Sequence, residues 1–196
     1  MTTFAVYATN FELYPKDGEA SRHLAPLFNR LGRIDFTFRV NDPGVNQGQI
    51  TSDFDNALKH ALEAGGATPI NLPLPLGVPQ ELDFAFAFGG RTVAVEIEKA
   101  NREKILRDFL KCHIYLHSGA DFGIVVLPRN YAHTRGAWNL YQFGVERYNE
   151  CRTYGFGTAE NLGRILLLGF DQHETATNRP LSVTTRGEMR IQAAAH

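Results

Sequence analysis

The chain has 196 residues, 43% of them hydrophobic and 21% charged, with a formal net charge of −1. That balance belongs to a globular chain able to bury a core, and it excludes a disordered tail, a coiled coil and a collagen-like fibre. No stretch approaches the roughly 18 apolar residues of a membrane span, the start lacks a signal-peptide pattern, and Cys112 and Cys151 are too few for a disulfide framework, so a cytoplasmic, reduced protein is the expectation.

In chain order, Phe4–Leu13 is a short apolar opening closed by Pro15, Asp17 and Gly18. Glu19–Leu31 carries Leu24, Leu27, Phe28 and Leu31 at helical spacing and stops at Gly32. Ile34–Val40 alternates apolar and polar residues as a half-buried strand does, and Asn41–Gln49 has loop chemistry. Asp53–Ala64 reads as a second helix ended by Gly65-Gly66. Pro69–Pro79 holds four of the nine prolines and reads as an extended surface connection. Leu82–Phe88 and Thr92–Glu98, joined across Gly89-Gly90-Arg91, form a β-hairpin.

Asn101–His117 follows as a helix, Phe122–Leu127 as a buried central strand, Trp138–Tyr154 as an aromatic, irregular helix, and Arg164–Phe170 as another buried strand. Beyond Asp171 the chain is polar and weakly patterned. The order of elements predicts an α/β fold over residues 1–196 as a single domain, a mixed central β-sheet flanked by helices on both faces, with its core at about 53–170.

Charge is unevenly divided. Residues 1–100 carry 8 Lys and Arg against 12 Asp and Glu, a net of −4, while residues 101–196 carry 12 against 9, a net of +3. Arginine outnumbers lysine 15 to 5, and its planar fork suits phosphates and guanine edges. This permits a nucleic-acid partner without demanding one, because a GC-rich genome produces the same bias.

The informative region is the hairpin. In Thr92–Glu98, Val93, Val95 and Ile97 point to one face and Ala94, Glu96 and Glu98 to the other. Residues two apart on a strand share a face at roughly 6.5–7 Å, so Glu96 and Glu98 are neighbours, and Asp83 on the partner strand lies near their end. Three carboxylates meeting at one point repel one another unless a cation joins them. A hard divalent ion such as Mg²⁺ takes such ligands and accepts a phosphate oxygen as well, which points to metal-assisted hydrolysis. The bland alternative is a solvated or ion-paired row of outward acids.

Asp83, then Glu96-Ile97-Glu98 on a valine-rich strand, then a helix, resembles the PD-(D/E)xK nuclease core. The run Val93–Glu98, with Arg107-Asp108-Phe109 on the helix and Gly123–Pro128 on the next strand, is similar to the BglII/BstYI/BamHI-like type II restriction endonucleases over roughly residues 80–130. The resemblance implies a restriction-endonuclease-like core and Mg²⁺, with Mn²⁺ able to substitute. It makes Asp83 and Glu96 metal-binding catalytic carboxylates. Glu98 stands where most members hold Lys, which implies a general base or a second metal ligand there. Lys99 follows, but in a regular strand it points to the opposite face, and only a bulge would bring it in. Glu63, at the end of its helix, matches an accessory acidic position.

Lys104, Arg107 and Lys111 recur at helical spacing and are candidates for phosphate contact or for a solvated face. Arg129, Asn130 and Arg135, in a polar loop after a buried strand, are the first candidates for base or phosphate contact. Arg147 and Arg152 are the second. His113 and His117, four apart on a helix, have a chelating spacing but no accompanying motif. The expectation is therefore an endonuclease hydrolysing phosphodiester bonds of double-stranded DNA, a type II restriction enzyme reading a short palindrome as a homodimer. The alternatives are a repair or recombination nuclease of the same fold, and a non-catalytic module that binds nucleic acid or protein.

Overall fold

The alternating runs of the sequence become one seven-stranded sheet in a computed structural model that describes residues 2–40, 49–75, 81–99, 101–133, 136–155, 159–183 and 189–191. Its first half comprises β1 (Thr2–Tyr14), α1 (Glu19–Phe28), β2 (Ile34–Val40), α2 (Gln49–Ala64), β3 (Thr68–Ile70), β4 (Phe84–Phe88) and β5 (Arg91–Ile97). A 3₁₀ turn (Arg102–Lys104) leads into α3 (Ile105–His117), followed by β6 (Phe122–Pro128), β7 (Tyr131–His133), β8 (Gly136–Trp138) and α4 (Leu140–Tyr154). The chain continues with α5 (Ala159–Gly163), β9 (Ile165–Glu174), β10 (Leu181–Val183) and β11 (Met189–Ile191).

Strand order in the sheet is β2-β1-β9-β6-β5-β4-β3. The central strands β5, β6 and β9 run parallel, and the outer pairings are antiparallel, so the sheet is mixed. The parallel pairings demand crossovers, supplied by α3 between β5 and β6 and by α4 and α5 between β6 and β9, all on one face of the sheet. All of β6 is buried, as a strand covered on both faces must be.

The two faces carry two apolar cores. On one, Val93, Val95, Phe86, Ile124 and Leu168 pack with Leu24 and Leu27 of α1 and Phe54, Leu58 and Leu62 of α2. On the other, Ala94, Val125, Leu127 and Leu167 pack with Ile105, Phe109 and Cys112 of α3 and Leu140, Tyr141 and Tyr148 of α4. The alternation of β5 assigns its side chains to these two layers. Among the described residues no helix is long and apolar enough to cross a membrane.

Several boundaries differ from the sequence expectation, each for a physical reason. The apolar opening is a thirteen-residue strand, because β1 is paired on both sides, by β2 and β9. The first helix ends at Phe28, with Asn29 as its cap, rather than at Leu31. The second begins at Gln49, while residues 41–48 of the expected loop lie outside the described residues. The proline-rich connection begins as an edge strand: Pro69 sits opposite Phe86, where a missing N–H is tolerated. Finally, β9 runs past Phe170 to Glu174 because β1 continues to pair with it.

Candidate active site at the open end of the central hairpin

The hairpin turns on Gly89 and Gly90, with φ of 57° and 76°, the two left-handed residues that a two-residue turn of type I′ requires. This turn sets the register: Phe84 pairs with Val95, so the next step places Asp83 across from Glu96. The β5–β6 ladder continues one residue further, with the Glu98 N–H donating to the Val126 carbonyl at 3.1 Å. Alternation therefore holds through Glu98. Lys99 turns to the α2 face, where it pairs with Asp55 and lies 5.6 Å from the Phe54 ring.

Asp83 is exposed at the strand mouth, and its Oδ2 accepts the Ile97 N–H at 2.6 Å, taking a donor that the ladder leaves over. Glu96 is 3% exposed. Its Oε2 accepts from the Lys111 ammonium of α3 at 2.6 Å, while Oε1 is buried with no hydrogen-bond partner among the described residues. Burial pushes the Glu96 carboxyl up to about 8; the nearby Asp83 adds to the rise, and Lys111 offsets only part of it.

Glu98 is buried too, and its Oε1 accepts the Asn101 N–H at 2.9 Å, just before the turn into α3. Its charge falls on Asp108, the buried acid of α3, whose carboxyl is pushed up to about 7 by burial and then by Glu98. On the other face burial raises Asp55 and lowers Lys99, each opposed by its partner.

The expected meeting of three carboxylates is corrected by this geometry. Glu96 faces Asp83 and Lys111, whereas Glu98 is drawn to the Asn101 N–H and the neighbourhood of Asp108. Among the described residues no group of three or more His, Cys, Asp or Glu forms a metal-holding cluster. The physical reason is strand geometry: side chains two apart stand parallel rather than converging. The donor set still fits a hard cation. A buried carboxylate oxygen without a partner is an unsatisfied acceptor, it stands across from a second carboxylate, and Mg²⁺ is commonly held by one or two carboxylates plus waters and phosphate.

A cavity of about 500 Å³ adjoins the site, lined by Lys59, Glu63, Leu72, Asp83, Phe84 and Tyr115 among others. Asp83 and the exposed Glu63 share this cavity, whereas Glu96 and Glu98 do not line it.

The basic candidates are scattered. Lys104 and Arg107 are exposed, with Arg107 3.8 Å from Asp108. Lys111 does not share their outer stripe, because it is buried against Glu96. Arg129 is engaged inside the fold: it donates to Glu12 at 2.8 Å, to Asp171 at 3.0 and 3.2 Å, and to the Asn10 carbonyl. Asn130 likewise exchanges hydrogen bonds with the Gln172 backbone, both at 2.8 Å. Arg147 pairs with Glu150 on its own helix, Arg152 is exposed, and Arg135 lies outside the described residues. His113 and His117 have ring centroids 4.7 Å apart, and the amide of Asn161 lies 3.0 Å from His117 Nε2.

Sequence reasoning missed Asp108 as a site residue and missed the partner of Lys111. A signal was present. With Ile105, Phe109 and Cys112 on the inner side of a helix, positions 108 and 111 fall on the same side, and both are buried. Charged residues at core-facing positions call for a partner.

No family model matches the sequence, and no curated protein matches it. Among solved structures the chain is similar to the crystal structure of restriction endonuclease BglII complexed with a DNA 16-mer, with 14% identity and a TM-score of 0.48, over 86% of this chain and 76% of that chain.

Proposed function

We propose that this chain is a Mg²⁺-dependent endonuclease that hydrolyses phosphodiester bonds of double-stranded DNA, as a type II restriction enzyme reading a short palindrome. The observation that carries the reading is the unpartnered, buried Oε1 of Glu96 across from the Asp83 carboxylate. In this reading Asp83 and Glu96 hold the divalent cation. When bound, Mg²⁺ (or Mn²⁺ in its place) makes a water more acidic and offsets the negative charge that builds on the phosphate during attack.

The chain's own residues do the rest. Glu98, fixed through the Asn101 N–H, accepts the proton of the attacking water, a role suited to an ionised carboxylate. Glu63 lines the cavity beside Asp83 as an accessory acid. The exposed Lys104, Arg107 and Arg152 supply cations for the DNA backbone. Two copies, one for each strand, form the working unit, acting in the cytoplasm.

A plasmid digest with Mg²⁺ tests this reading. Discrete bands support restriction, and a smear supports a nuclease without a palindrome. Asp83→Ala and Glu96→Ala should each abolish cutting while the circular dichroism spectrum is kept; normal cutting by Glu96→Ala would overturn the site. One observation favours a second reading, a non-catalytic module: Glu96 already has an ion-pair partner in Lys111 without a metal. Absence of cleavage, together with DNA retention in a gel shift that EDTA leaves unchanged, would select it.

A further inference from the structure

Lys111 is the buried cation of the α3 face, with its side chain 9% exposed and its ammonium 2.6 Å from Glu96 Oε2. Lysine is among the residues least often buried, because its ammonium is strongly hydrated. Here it is carried in on a helix seated close to the sheet: a Cβ at Gly123 of β6 would come within 2.8 Å of the Cys112 Cβ. Lys111 is adjacent to Cys112 on that helix, so its stem starts from a fixed platform. The contact is one-sided. The ammonium has three donors, yet Glu96 Oε1 receives none of them and has no other partner among the described residues. Packing for stability alone would satisfy both oxygens of a buried carboxylate, because an orphaned acceptor is costly.

We propose that Lys111 is a positioning residue: by engaging Oε2 of Glu96 it fixes the carboxylate plane so that Oε1 is presented to a divalent cation shared with Asp83. The inference rests on the nuclease reading and deepens it. Lys111 acts through Glu96 and touches neither the cation nor the DNA. The opposite role, an ammonium that occupies the cation's place and leaves when it arrives, would put the lysine on the oxygen that the cation needs. That oxygen is the one left open.

Magnesium titration calorimetry on the full chain, metal-free at the start, tests the proposal with Lys111→Met and Lys111→Arg beside the wild type. Loss of a group that orients a metal ligand typically weakens metal affinity by roughly 10–100-fold, and Lys111→Met should fall in that range while Lys111→Arg keeps most of the wild-type affinity. A lysine with a merely structural role would lower the melting temperature and leave Mg²⁺ affinity of the folded protein unchanged; that result, or tighter binding by Lys111→Met, overturns the proposal. The wild type provides a test independent of any variant's folding: the ¹⁵Nζ resonance of Lys111 should keep its ion-paired shift at saturating Mg²⁺, and its release on Mg²⁺ addition overturns the proposal. Wild type that binds Mg²⁺ and cuts DNA beside an unaffected Lys111→Met sinks this inference alone. Wild type that takes up no Mg²⁺ sinks the nuclease reading, and the inference with it.

Discussion

Asp108 shows how a single buried acid couples folding to pH. Its carboxyl ordinarily titrates at 3.8, and burial with the like charge of Glu98 raises it to about 7 in the folded chain. The folded state therefore keeps a proton that the unfolded chain releases. Its favourable contribution is present at low pH and is lost as the pH rises through about 7. Asp108→Asn cannot ionise, so it should be roughly 1–3 kcal/mol more stable than wild type at about pH 8 and level with it near pH 4. Denaturant melts at the two pH values check this; an equal gain at both would assign the effect to packing. The register of Asp83 and the facing of Glu96 and Glu98 are legible in the sequence because strand alternation ties facing to position. Lys111 and Asp108 are not placed by that rule, because their role depends on which strand the helix covers.

At the scale of elements, the central hairpin depends on its turn. Gly89 and Gly90 both hold positive φ, a backbone that side chains with a Cβ resist by about 1–2 kcal/mol. Among the described residues nothing lies within 4 Å of a Cβ built at Gly90, so Gly90→Ala should lose about 1 kcal/mol from backbone strain alone. A Cβ at Gly89 would also meet the His23 ring at 3.0 Å, and His23 Nε2 is bonded to the Phe88 carbonyl at 2.9 Å. Gly89→Ala should therefore be the more destabilising of the two in thermal melts, and the reverse order would contradict the turn geometry. The hairpin was legible because alternation and a Gly-Gly turn are local signals. The length of β1 was not, since nothing in Phe4–Leu13 says that strands will flank it on both sides. Pro69 in an edge strand is the same lesson: the residue rules out a central strand, and only the sheet decides whether it joins the edge.

For the whole molecule, Arg129 ties together parts far apart in sequence. From the end of β6 it holds Glu12 and Asn10 of β1 and Asp171 of β9, and its guanidinium lies 5.9 Å from the Tyr141 ring of α4. Removing one member of such a network leaves its partners short of a counter-charge, and Arg129→Met should cost roughly 2–4 kcal/mol in urea unfolding. DNA retention by the folded variant should be little changed, which a gel shift reads directly. Assembly is the other question at this scale. Leu106 and Leu110 are each 43% exposed, one turn apart on α3. If the dimer of the proposed function forms through this helix face, Leu106→Glu with Leu110→Glu should yield a monomer in sedimentation velocity. A dimer that survives both changes would place the interface elsewhere.

The amino-acid sequence by itself determined the hairpin, its turn, the face on which Glu96 and Glu98 lie and the opposite facing of Lys99, since each follows from a period of two along one short segment. Tertiary structure alone decided what those side chains meet. Lys111 reaches Glu96 from 15 residues away, and Arg129 reaches Asp171 from 42 and Glu12 from 117. Such partners are chosen by how a helix and four strands pack. Whether a carboxylate keeps its water, gains an ammonium or is left with one bare oxygen depends on that packing, because desolvation belongs to the assembled layers and not to any stretch of chain.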